Sequence, residues 1–282
     1  MTTQHPRTRP YTLNAGGITL SALLALPQDG TPTRATILAI HGRGMRAAYW
    51  NSFVPLATSL GHAVLAVDRP GYGDSADRLP EGQTLADQAE TLHAALKEHA
   101  ADHDIGAGIL LLGHSDGGKV ALHTAAADGG GTPLLGVDAS GVGYHYNPQA
   151  LHFPSTLGAG ATKLNWGPLN LYPRGTFQAS RTLLAATPPL ESAETLRWTG
   201  QYEALAPHVR VPVRLTFAEH EAWWHLDAPT LAAMTSRLTA APTVTVDHLA
   251  ASGHNISLGH TAPAYHLRVL TFLEDCLRAA PH

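Results

Sequence analysis

The sequence predicts an α/β fold: a mostly parallel, doubly wound sheet of about eight strands, with helices on both faces and a lid insertion. Three observations predict it. Short apolar runs alternate with helical-period segments along most of the chain. Several runs, such as Ala35–Ile40 (ATILAI) and Gly108–Leu112 (GILLL), are apolar throughout, as strands covered on both faces require. The alternation breaks once, over a stretch rich in Pro, Gly and aromatics that is too long for a structureless loop.

The elements follow in order. Ile18–Pro27 reads as an early strand, and Ala35–Ile40 as a buried one running into the turn His41-Gly42. Trp50–Leu60 has helical spacing and stops at Gly61. Ala63–Val67 is a further strand, ending at Asp68 before the turn-rich RPGYGDS. Thr84–Ala101 is a long helix, with Thr84 and Asp87 as its N-cap and first-turn pair. Gly108–Leu112 is a strand, Lys119–Ala127 lies on a helix, and Leu134–Val137 is a strand again. Val211–Phe217 and Thr243–Val246 are two more strands, and Ala262–Leu277 is a closing amphipathic helix. Right-handed crossovers between parallel strands put their C-terminal ends on one edge, where functional residues are expected.

The break runs from about Gly141 to Pro207 and holds Tyr144, Tyr146, Phe153, Trp166, Tyr172, Phe177, Trp198 and Tyr202. It predicts a lid over 141–207, helical over about Thr176–Ala186 and Ser192–Tyr202. The core is then 1–140 together with 208–282.

The formal net charge of −4 speaks against a nucleic-acid or acidic-membrane partner. The single cysteine, Cys276, excludes an internal disulfide, and its neighbours Phe272, Leu273 and Leu277 suggest an inert, buried helical thiol. Met1–Pro10 is polar and has no apolar run behind it, unlike a secretory signal. No stretch approaches the roughly 18–20 apolar residues that span a bilayer, so the expectation is a cytoplasmic protein without a membrane span.

The segment LLLGHSDGG, Leu110–Gly118, carries the pattern G-x-S-x-G between a strand and a helix. That context makes Ser115 a candidate nucleophile: a tight strand-to-helix turn lifts its Oγ clear of the sheet. Gly113 and Gly117 leave room for close backbone, and the helix start favours developing negative charge. A hydroxyl near neutral pH needs a base, and an imidazole base needs a carboxylate to fix its tautomer.

These motifs resemble the α/β-hydrolase family, serine hydrolase branch, over about Ile18–Leu277. His41-Gly42-Arg43-Gly44 is similar to that family's oxyanion loop, which implies backbone donors at Arg43 and Asp116. Asp68-Arg69-Pro70-Gly71-Tyr72-Gly73-Asp74-Ser75 is similar to its D-x-x-G-x-G-x-S segment, a shaping element. The family order of nucleophile, acid, histidine implies Glu221 as the acid. It lies in Ala218-Glu219-His220-Glu221, with Ala and Glu where members often carry Gly and Asp. Glu219 is the alternative acid, and Asp138 a third candidate. The resemblance implies His254, within Ser252-Gly253-His254-Asn255, as the base; His248 and His260 are its local competitors.

The eighteen histidines invite a metal reading, with His220 and His225 flanking Glu221 and His145 and His152 in the lid. No H-E-x-x-H and no Cys/His ligand spacing is present, so neither metal nor cofactor is expected. Relatives that use an Asp nucleophile are disfavoured by Ser115, and nicotinamide chemistry by the lack of a dinucleotide motif. The aromatics of the lid, with Trp223 and Trp224, suggest a bulky apolar ester or thioester as the small-molecule substrate. Arg43 would either pair with a substrate carboxylate or face solvent. Three functions remain open at this point: a carboxylic-ester or thioester hydrolase, an acyltransferase or lactone-forming cyclase, and a non-catalytic ligand-binding member of the fold.

Overall fold

The computed structural model describes residues 8–28, 30–127, 131–152 and 159–280. Met1–Arg7 of the N-terminal segment and Phe153 of the aromatic stretch lie outside the described residues.

Among the described residues one sheet of eight strands forms, in the order β1-β2-β4-β3-β5-β6-β7-β8. These are β1 (Arg9–Ala15), β2 (Ile18–Ala25), β3 (Ala35–Ile40), β4 (His62–Val67), β5 (Ile109–His114), β6 (Leu134–Ser140), β7 (Val213–His220) and β8 (Val244–Gly253). From β4 to β8 every pairing is parallel; β2 joins β4 antiparallel, and β1 joins β2 as a hairpin. The hairpin was not anticipated. Its signal is Gly16-Gly17, both at positive φ (57° and 97°), which closes the turn that Arg9–Ala15 needs to pair back.

The wholly apolar strands are explained by two clusters, one on each face. Along β5, Ile109 and Leu111 point into one cluster and Leu110 and Leu112 into the other. In chain order the helices are α1 (Val54–Ser59), α2 (Leu85–Asp102), α3 (Asp116–Ala126), α4 (Ala159–Trp166), α5 (Thr176–Ala179), α6 (Pro189–Glu194), α7 (Trp198–Leu205), α8 (Ala228–Thr235) and α9 (Ala262–Ala279). Helices α2, α3, α7 and α8 cover the first cluster, α1 and α9 the second. Thr84 caps α2 by accepting from the Asp87 N–H at 3.1 Å. The helix expected over Trp50–Leu60 is instead a 3-10 turn, Ala47–Trp50, followed by α1. Pro55 is the reason: without an N–H it fits only a helix's first turn. No helix among the described residues is long and apolar enough to cross a membrane.

Between β6 and β7 the chain makes an excursion containing α4–α7. Two of its carboxylates tie it to the core. Glu194 Oε2 accepts from the Leu85 N–H at 2.6 Å, at the start of α2. Glu191, fully buried, receives Arg69 Nη1 at 2.5 Å and Nη2 at 3.0 Å, Tyr72 Oη at 2.6 Å and Gln88 Nε2 at 2.9 Å.

Burial also sets a pH limit on this fold. His266 of α9 is depressed to about 4 by desolvation. His99 falls to about 4 by desolvation and the nearby His103, and His123 to about 4 by desolvation and Lys119. Each has a folded value below its ordinary one of 6.5, so the unfolded chain binds more protons between those limits. The stability these groups contribute is complete above about 6.5 and is lost as pH falls towards 4. Thermal midpoints measured across that range should decline steeply on acidification, and less steeply in His266→Gln.

Candidate active site

Strands β3, β5, β6, β7 and β8 all end at one edge, and their C-terminal turns carry the candidate residues. Ser115 stands between β5 and α3 at φ 52°, ψ −125°. Among the described residues it and Ala251 are the non-glycines at positive φ, a strained region for an L-residue. The flanking glycines are dictated by contact. A Cβ at Gly113 would lie 2.5 Å from the Gly118 Cα, and one at Gly117 would strike the carbonyl oxygens of Ile40 and His41. Gly117→Ala should therefore push β3 and α3 apart. The expected result is a lower melting temperature together with loss of Ser115 reactivity.

His254 lies in the turn after β8, 4% exposed, with Nδ1 2.7 Å from Glu221 Oε2 in the turn after β7. Nδ1 donates to the carboxylate, leaving Nε2 as the free ring nitrogen. Glu221 Oε1 also accepts from the Trp223 N–H at 3.0 Å, which fixes its longer arm. His254 and Ser115 line the same cavity. No hydrogen bond joins them among the described residues; such contacts are often long before substrate binds and tighten afterwards.

The other acid candidates sit elsewhere. Glu219 is exposed and accepts from the Ala251 N–H at 2.6 Å. Asp138 is paired in register with Arg214 on β7, whose Nη1 donates to its Oδ2 at 2.5 Å. His248 and His260 are both exposed.

Several residues that shape the site were not singled out from the sequence. Gly141, at φ 64°, makes way for the imidazole–carboxylate pair: a Cβ there would come 2.7 Å from His254 Cε1 and 3.4 Å from Glu221 Oε2. The excursion holds the histidine turn from outside. Asn165 accepts through its carbonyl from the Asn255 N–H at 3.1 Å, and through Oδ1 from Trp223 Nε1 at 2.9 Å. His114 stacks on Tyr49 with centroids 5.0 Å apart, and its ring lies 4.8 Å from His254. Burial holds His114 well below its ordinary value, so the neutral ring does not oppose a positive His254.

Arg43 and Asp116, the residues expected to supply the oxyanion donors, line the same cavity. Among the described residues, no backbone acceptor takes the N–H of Arg43 or of Asp116. The Arg43 side chain does not face solvent. Its Nε donates to Asp116 Oδ2 at 2.5 Å, while Lys119 Nζ lies 2.7 Å from Asp116 Oδ1. Burial pushes the Asp116 carboxyl up, but Arg43 and Lys119 outweigh it and hold it well below the usual carboxylate range. The lining of the cavity is mixed. Trp223, Trp224 and Tyr146 supply aromatic walls, but Arg43, Asp116 and Lys119 line it as well. Sequence pattern places aromatics near a site without showing that they pack on a charged floor.

A family model described as "Alpha/beta hydrolase family" matches residues 37–270. A protein of Cronobacter sakazakii with the provisional name carbamate hydrolase RutD is 31% identical over 163 residues, covering 58% of this chain and 48% of that protein. An esterase of Mycobacterium tuberculosis is 33% identical over 105 residues, covering 37% of this chain and 32% of that protein. The chain thus spans about half, or less, of the length of these curated relatives. Among solved structures, a soluble variant of the monoglyceride lipase of Saccharomyces cerevisiae superposes with a TM-score of 0.73 at 15% identity, covering 98% of this chain and 97% of that one.

Proposed function

Because the chain belongs to the alpha/beta hydrolase family, we propose that it is a serine hydrolase cleaving a carboxylic ester or thioester, with Ser115, His254 and Glu221 as its catalytic residues. The observation that carries this reading is the 2.7 Å contact of His254 Nδ1 with Glu221, which orients a buried imidazole at the cavity holding the strained Ser115.

In the reaction, His254 Nε2 takes the Ser115 proton as Oγ attacks the carbonyl carbon. The carbonyl electron pair moves to oxygen, and the oxyanion is met by the N–H groups of Arg43 and Asp116. Collapse expels the alkoxide or thiolate, which receives the proton from the His254 imidazolium. Water, deprotonated by His254, then attacks the acyl-enzyme, and the acid leaves as Oγ regains its proton. Glu221 stays ionised and steadies the imidazolium. The described residues of 141–207 act as the cover of the site, since Tyr146 and Asn165 line its cavity.

The test is labelling by a fluorophosphonate probe together with turnover of chromogenic esters of graded acyl length. A single labelled serine at position 115, with turnover that tracks it, supports the proposal. Labelling at another residue, or turnover indifferent to blockage of Ser115, overturns it.

A further inference from the structure

The cavity beside Ser115 is lined by a buried ammonium. Lys119 lies in the first turns of α3, four residues after Ser115, and helical side chains lean back towards the N-terminus. It is 1% exposed. Its Nζ donates to Asp116 Oδ1 at 2.7 Å and to Tyr146 Oη at 2.6 Å, and lies over the rings of Trp198 and Trp224 at 5.2 and 5.3 Å. An ammonium has three donors, so one is left. The Tyr146 hydroxyl, accepting from Lys119, keeps its own proton to donate.

The charge balance of this corner is positive. Arg43, Arg69 and Lys119 face the two carboxylates Asp116 and Glu191, and both Glu191 oxygens are held by Arg69. Asp116 is therefore shared between two cations, and one positive charge has no counter-charge of its own. Glu221, the carboxylate at the histidine turn, is bonded to His254 Nδ1. A buried charge without a partner is costly, so a ligand that supplies the missing anion gains from the pairing.

Resting on the reading of Ser115 as nucleophile, we propose that the substrate's acyl group is short and ends in a carboxylate, which Lys119 Nζ and Tyr146 Oη bind. Reach agrees. Lys119 is one helical turn from Ser115, about 6 Å of rise at roughly 1.5 Å per residue, and a methylene and a carboxylate beyond the scissile carbonyl are matched to that reach.

The experiment compares 4-nitrophenyl hydrogen malonate with 4-nitrophenyl 3-methylbutanoate, in which an isopropyl group replaces the carboxylate at equal size. The wild-type protein should favour the malonate by about tenfold or more in kcat/KM near neutral pH. Lys119→Met and Tyr146→Phe should each shrink that ratio severalfold. Tyr146→Phe keeps the Lys119–Asp116 pair, so it remains informative if Lys119→Met fails to fold. Monomethyl malonate should also slow fluorophosphonate labelling of the wild type more than methyl 3-methylbutanoate does, a readout independent of turnover. Equal or reversed preference, or a preference that survives both substitutions, overturns the carboxylate assignment while Ser115-dependent labelling persists. Loss of that labelling would instead remove the parent reading.

Discussion

Ser115→Ala should abolish ester turnover and fluorophosphonate labelling, with kcat falling by roughly 10⁵–10⁶-fold if the triad acts as a unit. The fold is expected to survive. Ser115 is only partly buried, its Oγ makes no hydrogen bond among the described residues, and its backbone bonds, N to Ser140 O at 2.8 Å and O from Gly118 N at 2.8 Å, do not involve the side chain. Alanine keeps a Cβ, so the strained turn stays as demanding as before. Circular dichroism and melting temperature should match the wild type while activity drops to background. A variant that retains more than about a hundredth of the wild-type rate would mean that another group supplies the nucleophile. His254→Ala should fall almost as far, because residues that act together are not additive.

Glu191→Ala should produce the largest loss of stability, about 3–5 kcal/mol, because it leaves Arg69 buried without its partner. Both side chains are wholly inaccessible, and Tyr72 and Gln88 lose their acceptor at the same time. At roughly 2–4 °C per kcal/mol, the thermal midpoint should drop by about 6–20 °C. The double substitution Glu191→Leu with Arg69→Met should lose less than Glu191→Ala, since it removes the orphaned charge as well as its partner. A midpoint within about 2 °C of wild type for Glu191→Ala would show that this contact does not hold the excursion to the core.

The parallel strands were legible because a strand buried on both faces must be apolar at every position, and a continuous run such as Ile109–Leu112 meets that demand without any tertiary information. The first hairpin strand was missed because it is an edge strand with an exposed Arg9 and Pro10. Helix α8 was missed because its eight residues are mostly partly exposed, so its apolar pattern is weak; its signal is the Asp227 cap accepting from Thr230 N–H at 2.8 Å. Among the site candidates, Ser115 was legible because its turn needs two glycines at fixed offsets. Lys119 was legible only as the start of the helix Lys119–Ala127, not as a group lining the cavity.

Local sequence determined the strand–turn–helix around residue 115 and the supply of a carboxylate and an imidazole after two later strands, because backbone sterics and hydrophobic period act over a few neighbouring residues. Only the tertiary structure decided which carboxylate meets His254. Glu221 and Glu219 are two positions apart, and the bend after β7 turns one towards the imidazole and the other towards the Ala251 N–H. The pairing of Arg43 with Asp116, 73 positions along the chain, was likewise decided in space. Charges far apart in the chain interact by distance and burial, and neither can be read along a sequence.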